Sequence, residues 1–435
     1  MVGVKQSKVN ITLEIRDPIH GSIHISPCEV PVIEHPFFQR LRKIKQLGFS
    51  DSIFPGATHT RFIHSIGVMH TVGNVFDKLF NANQSLDHKR LKQTVRLAGL
   101  LHDIGHAPLS HSTESVMPKI SELQIPKRLV DEDETKQATH EHYTIKAIAD
   151  SFFTESLNLA KESLGIDEFS IAELVTGKTN NPDYFTINDI NYFPLLHQLV
   201  SSEIDCDRMD YLLRDSYFCG VSYGKFDLDW LIDNFQIAIE SNTAFLGISE
   251  RALTSFDDFL ISRYHMFLMV YFHYRAVCLE QMLYRYFQHP ENEYEIPASI
   301  EQYLQHDDHY LQEILKKSGN FWSKKITKNH IPDKIFERFG VNDIEQEKKI
   351  ESILSNENID FIKCESKGRL SKYSGKNSYY PIKVVKQYNK SIIDIFKATD
   401  LFSRYSTNHS VTRIHCYKSN LSNLALNKIN EILKS

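Results

Sequence analysis

The sequence predicts a mainly α-helical protein that opens with a β-hairpin and closes with a small C-terminal α/β region. Three observations carry this expectation. Apolar residues recur at helical spacing through 30–47, 61–79 and 91–101, and again in 303–315. Two short strand-like runs, 11–15 and 22–25, flank the turn-forming Arg16-Asp17-Pro18-Ile19-His20-Gly21. Strand-forming runs return after Ile359. With 435 residues, 41% of them hydrophobic, the chain can bury a large core and has room for two or three domains. A net charge of −5 is small for this length and gives no global attraction to nucleic acid or to an anionic membrane, so any anion site has to be built locally. Cys28, Cys206, Cys219, Cys278, Cys364 and Cys416 lack paired short spacings, which argues against a zinc ribbon or a disulfide framework and suits a reducing cytoplasm.

In chain order, 1–14 lacks the continuous apolar core of a signal peptide, and a hairpin follows. The stretch 30–47 reads as one helix, with Phe37, Leu41, Ile44 and Leu47 on its apolar face. Arg40, Arg42, Lys43 and Lys45 surround that face as a solvated basic patch, and Gly48 closes the helix. That patch is where nucleic acid would bind locally, if at all. A loop leads to a helix beginning near Arg61, in which His64, Val68, Val72, Val75 and Leu79 share a face, so His64 lies on the buried stripe at the first turn. Another helix carries Leu91, Val95, Ala98 and Leu101 inward and delivers His102 and Asp103 to the interior, where Gly105 and Pro108 stop it. The charged stretch 127–137 and Asn180-Asn181-Pro182-Asp183 read as exposed loops, and His140-Glu141-His142 opens a helix between them. The most apolar later stretch, 259–283, is interrupted by Arg263, His265, His273 and Arg275 and is no membrane span. His306, Asp307, Asp308 and His309 read as surface residues near a helix start. Runs 361–364, 381–385 and 412–417 read as strands, with 421–433 as a closing helix.

The chemistry concentrates in Leu100-Leu101-His102-Asp103-Ile104-Gly105-His106-Ala107-Pro108-Leu109-Ser110-His111. A buried adjacent His-Asp pair is costly unless something compensates the carboxylate, and a divalent cation is the usual compensator. A histidine merely oriented by a carboxylate would explain a lone pair of this kind. His106 and His111 weigh against that explanation, because several imidazoles would then have to be satisfied in one small volume. A second acidic centre spans Glu203-Ile204-Asp205-Cys206-Asp207-Arg208-Met209-Asp210-Tyr211-Leu212-Leu213-Arg214-Asp215. Asp210 and Arg214 have the spacing of a surface ion pair, while Asp207, Tyr211 and Asp215 fall along one stripe. Periodicity does not choose which carboxylate turns inward.

The ordered set His64, His102-Asp103 and Asp207 resembles the metal-binding signature of the HD-domain phosphohydrolases. Further motifs bring the likeness closer: Asp17-Pro18-Ile19-His20-Gly21, Phe38-Gln39-Arg40-Leu41-Arg42, Phe54-Pro55-Gly56-Ala57, Arg61-Phe62-Ile63-His64-Ser65, the central stretch, and Asp207-Arg208-Met209-Asp210-Tyr211. Together they are similar to the deoxynucleoside triphosphate triphosphohydrolases over about 15–283. The resemblance implies an α-helical HD core that cleaves a deoxynucleoside triphosphate to deoxynucleoside and tripolyphosphate. It implies His64, His102, Asp103 and Asp207 as holders of one divalent ion, for which Mg²⁺, Mn²⁺, Fe²⁺ and Zn²⁺ all suit a mixed nitrogen and oxygen set. Arg61, His106, His111 and Arg208 would meet phosphate, Arg208 standing where the family more often has lysine. His111 would act as an acid oriented by Glu114, His140 would be a further active-site histidine, and Gln46, Leu47, Tyr211 and Asp215 would face the sugar.

The same resemblance implies a homodimer or homotetramer. Glu34, Gln39 and Arg42 stand where some relatives bind an activating nucleotide at an interface. Val277 stands where vertebrate relatives place a tyrosine against the sugar, so exclusion of ribonucleotides is not implied. The expected organisation is a catalytic core with its hairpin over 1–290, a helical extension over 291–358 and the α/β region over 359–435. Two other function classes use the same motif: an HD phosphodiesterase or nuclease, and a non-catalytic nucleotide sensor. The chain lacks the Gly-Tyr-Pro signature of cyclic dinucleotide enzymes and the Glu-Asp pair of alarmone hydrolases, so the triphosphohydrolase expectation is preferred.

Overall fold

A computed structural model of the chain describes residues 13–82, 85–130, 132–340, 344–368, 380–401 and 409–434. Ile11 and Thr12 of the expected first strand, and most of 1–14, lie outside them. The chain is mainly helical. Strands Leu13–Asp17 and Gly21–Ile25 form the antiparallel hairpin. Its turn is closed by Asp17, whose carboxylate accepts from the amides of Ile19 and His20 at 2.8 and 3.0 Å.

The stretch 30–47 is not one helix. His35 is extended (φ −63°, ψ 136°) because the Pro36 ring disfavours helical backbone in the residue before it. Two short helices, Val30–Glu34 and Pro36–Gln39, therefore meet at a corner, and a 3₁₀ turn, Arg40–Lys43, follows them. Gly48 closes no helix; at φ +50° it starts another 3₁₀ turn, Gly48–Ser52. Arg40 is not on a solvated face either. It is buried, and its guanidinium donates to the carbonyls of Ile104, His106 and His306 at 3.0, 2.8 and 2.7 Å.

The centre of the fold is the pair of long helices Arg61–Leu79 and Leu86–Leu101. Their apolar stripes, among them Val68, Val72, Val75, Leu91, Val95 and Ala98, are wholly buried in the main core. Helix Cys206–Cys219 crosses Arg61–Leu79 at Gly67, where a β-carbon would stand 2.0 Å from Asp210 Oδ1. That close approach admits only glycine. Helices His140–Ala149, Glu168–Thr176 and Phe193–Val200 complete the bundle. A mixed sheet runs along one side, with Thr243–Ser249 pairing antiparallel to Phe235–Glu240 and parallel to Lys383–Val385. The last of these strands, expected in the tail, thus extends the sheet of the core.

The stretch expected as a helical extension also contains strand Asp333–Phe339. It pairs with His409–Cys416, which in turn pairs with Ile362–Gly368. Helices Ile344–Asn356 and Asn423–Lys434 cover this sheet around a second, smaller core that includes Ile335, Phe336, Ile350, Leu354 and Ile429. His306 and Asp307, expected at the surface, are buried, and Asp308 accepts the amides of Lys45 and Leu109 at 3.0 and 2.7 Å. Among the described residues no helix is long and apolar enough to cross a membrane.

Asp308 gives a pH prediction. Burial pushes its carboxyl up to about 6, from the ordinary 3.8, although the two amides oppose this. The folded chain therefore holds the proton over a window in which the unfolded chain has lost it, so this residue's contribution to stability falls as pH rises from about 4 to about 6. Asp308→Asn is expected to flatten that part of the profile by roughly 1–3 kcal/mol. Urea midpoints at pH 4.5 and 7 for both proteins check it, and an unchanged difference between the two pH values would remove Asp308 as the cause.

Candidate metal centre and cavity

Helix Leu86–Leu101 ends at the residue before the His-Asp pair, so His102 caps the helix and Asp103 starts a tight turn. The turn is jammed against the start of helix His140–Ala149. A β-carbon on Gly105 would lie 2.2 Å from the His140 carbonyl oxygen and 2.3 Å from the Thr144 nitrogen. This contact brings His106 and His140 face to face, with ring centroids 3.8 Å apart.

The structure brings His64, His102, Asp103 and Asp207 together. His64 comes from the first turn of its helix, and Asp207 from the first turn of Cys206–Cys219, whose N-cap is the Asp205 carboxylate. His64 Nε2 lies 3.0 Å from Asp207 Oδ1 and 3.6 Å from Asp103 Oδ2, and His102 Nε2 lies 3.5 Å from each of the same two oxygens. Among the described residues neither Nε2 atom has a hydrogen-bond partner, although both are buried. Each ring turns its other nitrogen outward: His64 Nδ1 meets Asp210 Oδ2 at 2.8 Å and His102 Nδ1 meets the Gly99 carbonyl at 2.8 Å. This is the orientation of imidazoles held as metal ligands. Burial opposes charge on the His64 imidazole, yet the Asp207 and Asp210 carboxylates push its pKa up to about 10, so the site favours positive charge at this point. Burial likewise opposes charge on Asp103 and Asp207, but Arg61 and His102 hold Asp103 well below the usual carboxylate range, and His102 and His64 do the same for Asp207. Two orphaned nitrogens and two ionised carboxylates converging on one point fit a divalent cation.

Behind this centre stands a network that the sequence reading misplaced. Asp210 and Arg214 are an i,i+4 pair, but both are fully buried rather than at the surface. Arg214 forks onto Asp210 with two bonds of 2.8 Å and donates to Asp17 of the hairpin at 2.8 Å. His20 Nε2 adds a contact of 2.7 Å to Asp210. The N-terminal hairpin thereby fixes the carboxylate that orients His64.

The centre forms part of the wall of a cavity of about 770 Å³. Arg61, His106, Arg208, Gln46, Leu47, Tyr211 and Asp215 line it, as do His111 and His140. Arg61 donates to Asp103 and, at 3.0 Å, to Ser110 Oγ; Arg208 is tied to Asp205 and the Ser202 carbonyl. Burial, with Arg61 and His140 nearby, holds His106 well below the ordinary imidazole range, so its ring stays neutral. Glu114 Oε1 faces two histidines: His111 Nδ1 at 3.2 Å and, more closely, His140 Nδ1. The His111 side chain is 66% exposed and that of His140 only 16%, so His111 is the one open to the cavity mouth. Glu34, Gln39 and Arg42 do not line the cavity; Arg42 Nε donates to Gln39 at 2.7 Å.

Several lining residues escaped the sequence reading. Tyr271, from the π-turn Phe267–Tyr271, donates to Asp215 Oδ2 at 2.7 Å, and His59 Nε2 meets the other oxygen at 2.7 Å. Val277 is buried in its helix and does not line the cavity, so the phenol beside Asp215 comes from the preceding turn. Glu280 also lines the wall, and burial pushes its carboxyl up to about 7. No spacing rule ties these residues to the central motif. The Tyr271-Phe272-His273 run beside an interrupted apolar stretch was the available signal.

Comparison with known proteins agrees with this geometry. The family model described as the HD domain matches residues 61–214, the segment that supplies His64, His102, Asp103 and Asp207. An uncharacterized protein of Mycoplasma genitalium, MG461, is 33% identical over 276 residues, covering 63% of this chain and 59% of that protein. The deoxynucleoside triphosphate triphosphohydrolase SAMHD1 homolog of Dictyostelium discoideum is 30% identical over 337 residues, covering 75% of this chain and 58% of that protein. The chain thus spans about three fifths of the length of these relatives. A crystal structure of a hypothetical protein from Aquifex aeolicus superposes with a TM-score of 0.73 at 26% identity, over 97% of this chain and 100% of that one. Motif, fold and matched segment fall on the same residues: the chain carries an HD domain over 61–214 and is similar to the deoxynucleoside triphosphate triphosphohydrolases.

Proposed function

We propose that the chain is a metal-dependent phosphohydrolase that cleaves deoxynucleoside triphosphates to deoxynucleoside and tripolyphosphate. The observation that carries this reading is the pair of orphaned Nε2 atoms on His64 and His102, facing the Asp103 and Asp207 carboxylates in the wall of a cavity that also presents Arg61 and Arg208. The four residues would hold one divalent ion, which when bound supplies Lewis acidity toward a phosphoryl oxygen. Arg61 and Arg208 bind the phosphate chain and offset its charge, and neutral His106 adds a hydrogen bond to it. Gln46, Leu47, Tyr211 and Asp215 position the sugar, and a cavity of about 770 Å³ has room for a nucleotide.

Water adds to the α-phosphorus and gives up its proton to solvent, the bond from phosphorus to the 5′-oxygen breaks, and that oxygen takes a proton from the His111 imidazolium, which solvent then reprotonates. The 5′-alkoxide is a poor leaving group, so the reaction needs this proton, and Glu114 orients the imidazole that donates it. His111→Ala is expected to lower turnover by roughly 10²-fold or more while metal content is kept. Near wild-type turnover would pass the role to His140.

Chromatography of products from all four substrates, with pooled nucleotides added as candidate activators, tests the reaction. Intact tripolyphosphate carrying ¹⁸O from labelled water is the expected product. Monophosphate with pyrophosphate would overturn the proposed bond cleavage. Hydrolysis confined to cyclic nucleotides or oligonucleotides would favour a phosphodiesterase.

A further inference from the structure

Away from the cavity, Cys278 of helix Tyr274–Phe287, Cys364 of strand Ile362–Gly368 and His415 of strand His409–Cys416 meet in the interior. All three are buried, and the two sulfurs and one ring nitrogen lie within 4.8 Å of one another. On adjacent strands Cys364 pairs with Arg413 and Ile362 with His415, so Cys364 and His415 are diagonal neighbours within side-chain reach. The helix carrying Cys278 packs over the strand that carries Cys364.

The histidine is the telling member. Its Nδ1 faces the Pro332 carbonyl at 3.4 Å, which places a proton on that nitrogen, while the buried Nε2 has no hydrogen-bond partner among the described residues. A buried lone pair without a donor costs free energy unless something supplies the missing contact. A carbonyl-anchored Nδ1 with a free Nε2 is also the form in which histidine binds metal. Thiol and imidazole donors select soft ions, and a tetrahedral zinc site sets such donors about 3.5 Å apart, a spacing compatible with this cluster.

We propose that Cys278, Cys364 and His415 form a second metal site, for a thiophilic ion of the Zn²⁺ class, that clasps the C-terminal sheet to the helical core. Three protein ligands leave one position for a water or small anion. Binding forms two metal–sulfur bonds and one metal–nitrogen bond and releases both thiol protons to solvent, with no change of oxidation state. The site is independent of the hydrolytic one, whose proposed ligands include no sulfur.

Cobalt distinguishes the two. The full chain, stripped with chelator under reducing conditions and reloaded with Co²⁺, is expected to show thiolate-to-cobalt charge-transfer absorption. Asp207→Ala should keep this band, and Cys364→Ser should lose it while retaining the circular dichroism of the wild type. Cys278→Ser serves as a second variant should Cys364→Ser fold poorly. Absence of the band in folded wild-type protein overturns the proposal without reference to any variant, and so does a Cys278–Cys364 disulfide in protein purified with metal present.

Discussion

Asp207→Ala is expected to lose one divalent ion per chain relative to the wild type and to lower hydrolysis by roughly 10²–10³-fold or more. Asp207 is the proposed ligand that comes from a separate helix, and its Oδ1 lies 3.0 Å from His64 Nε2 and 3.5 Å from His102 Nε2. Removing it leaves two imidazoles and Asp103, and Asp103 already shares its charge with Arg61. The fold should survive, because the helix is capped by Asp205 and buried through Met209, Leu212 and Ser216, none of which depends on Asp207. Elemental analysis after dialysis, beside far-ultraviolet circular dichroism, measures both effects. Unchanged metal content would strike Asp207 from the ligand set, and loss of metal with full activity would end the metal-dependent reading.

Arg214→Met is expected to destabilise the chain by about 3–5 kcal/mol, the cost of leaving buried carboxylates without their cation. Asp17 and Asp210 face the guanidinium from the hairpin and from the preceding turn of the same helix, and none of the three groups is solvated. Burial works against the Asp210 charge, but Arg214, His20 and His64 hold its carboxyl well below the ordinary 3.8. Its contribution is therefore complete above about pH 4 and is lost as the pH falls further. Because Asp210 also orients His64, metal affinity should drop by roughly 10–100-fold in any folded Arg214→Met protein. Lys78→Met is the control, since Lys78 and Asp233 are a half-exposed pair 2.9 Å apart that should contribute no more than about 1 kcal/mol. Denaturant unfolding of both variants decides the point: similar midpoints would mean that the buried network contributes no more than the surface pair does.

The sequence alone determined whatever lies within one element. A 3.6-residue period put His64 on the buried stripe of Arg61–Leu79 and carried Leu86–Leu101 inward to the His-Asp pair. The motif order supplied the HD resemblance, and strand-forming runs marked the hairpin and the C-terminal strands. The basic stretch 30–47 misled because helical spacing says nothing of a proline corner, and because the carbonyls that bury Arg40 arrive from Ile104, His106 and His306.

The environment of each polar group was decided by tertiary structure. Asp210 and Arg214 have the same i,i+4 spacing whether exposed or buried; what buries them is helix crossing at Gly67 and a hairpin aspartate 197 residues from Arg214. Tyr271 lines the cavity, and Asp308 holds the amide of the lining residue Leu109, each from a segment with no periodic relation to the motif. Cys278, Cys364 and His415 looked scattered along the chain and meet only because one helix packs over a three-stranded sheet. The physical reason is the same in each case. Periodicity reports which face of an element is apolar, whereas the cost of a buried charge or lone pair depends on which distant groups satisfy it.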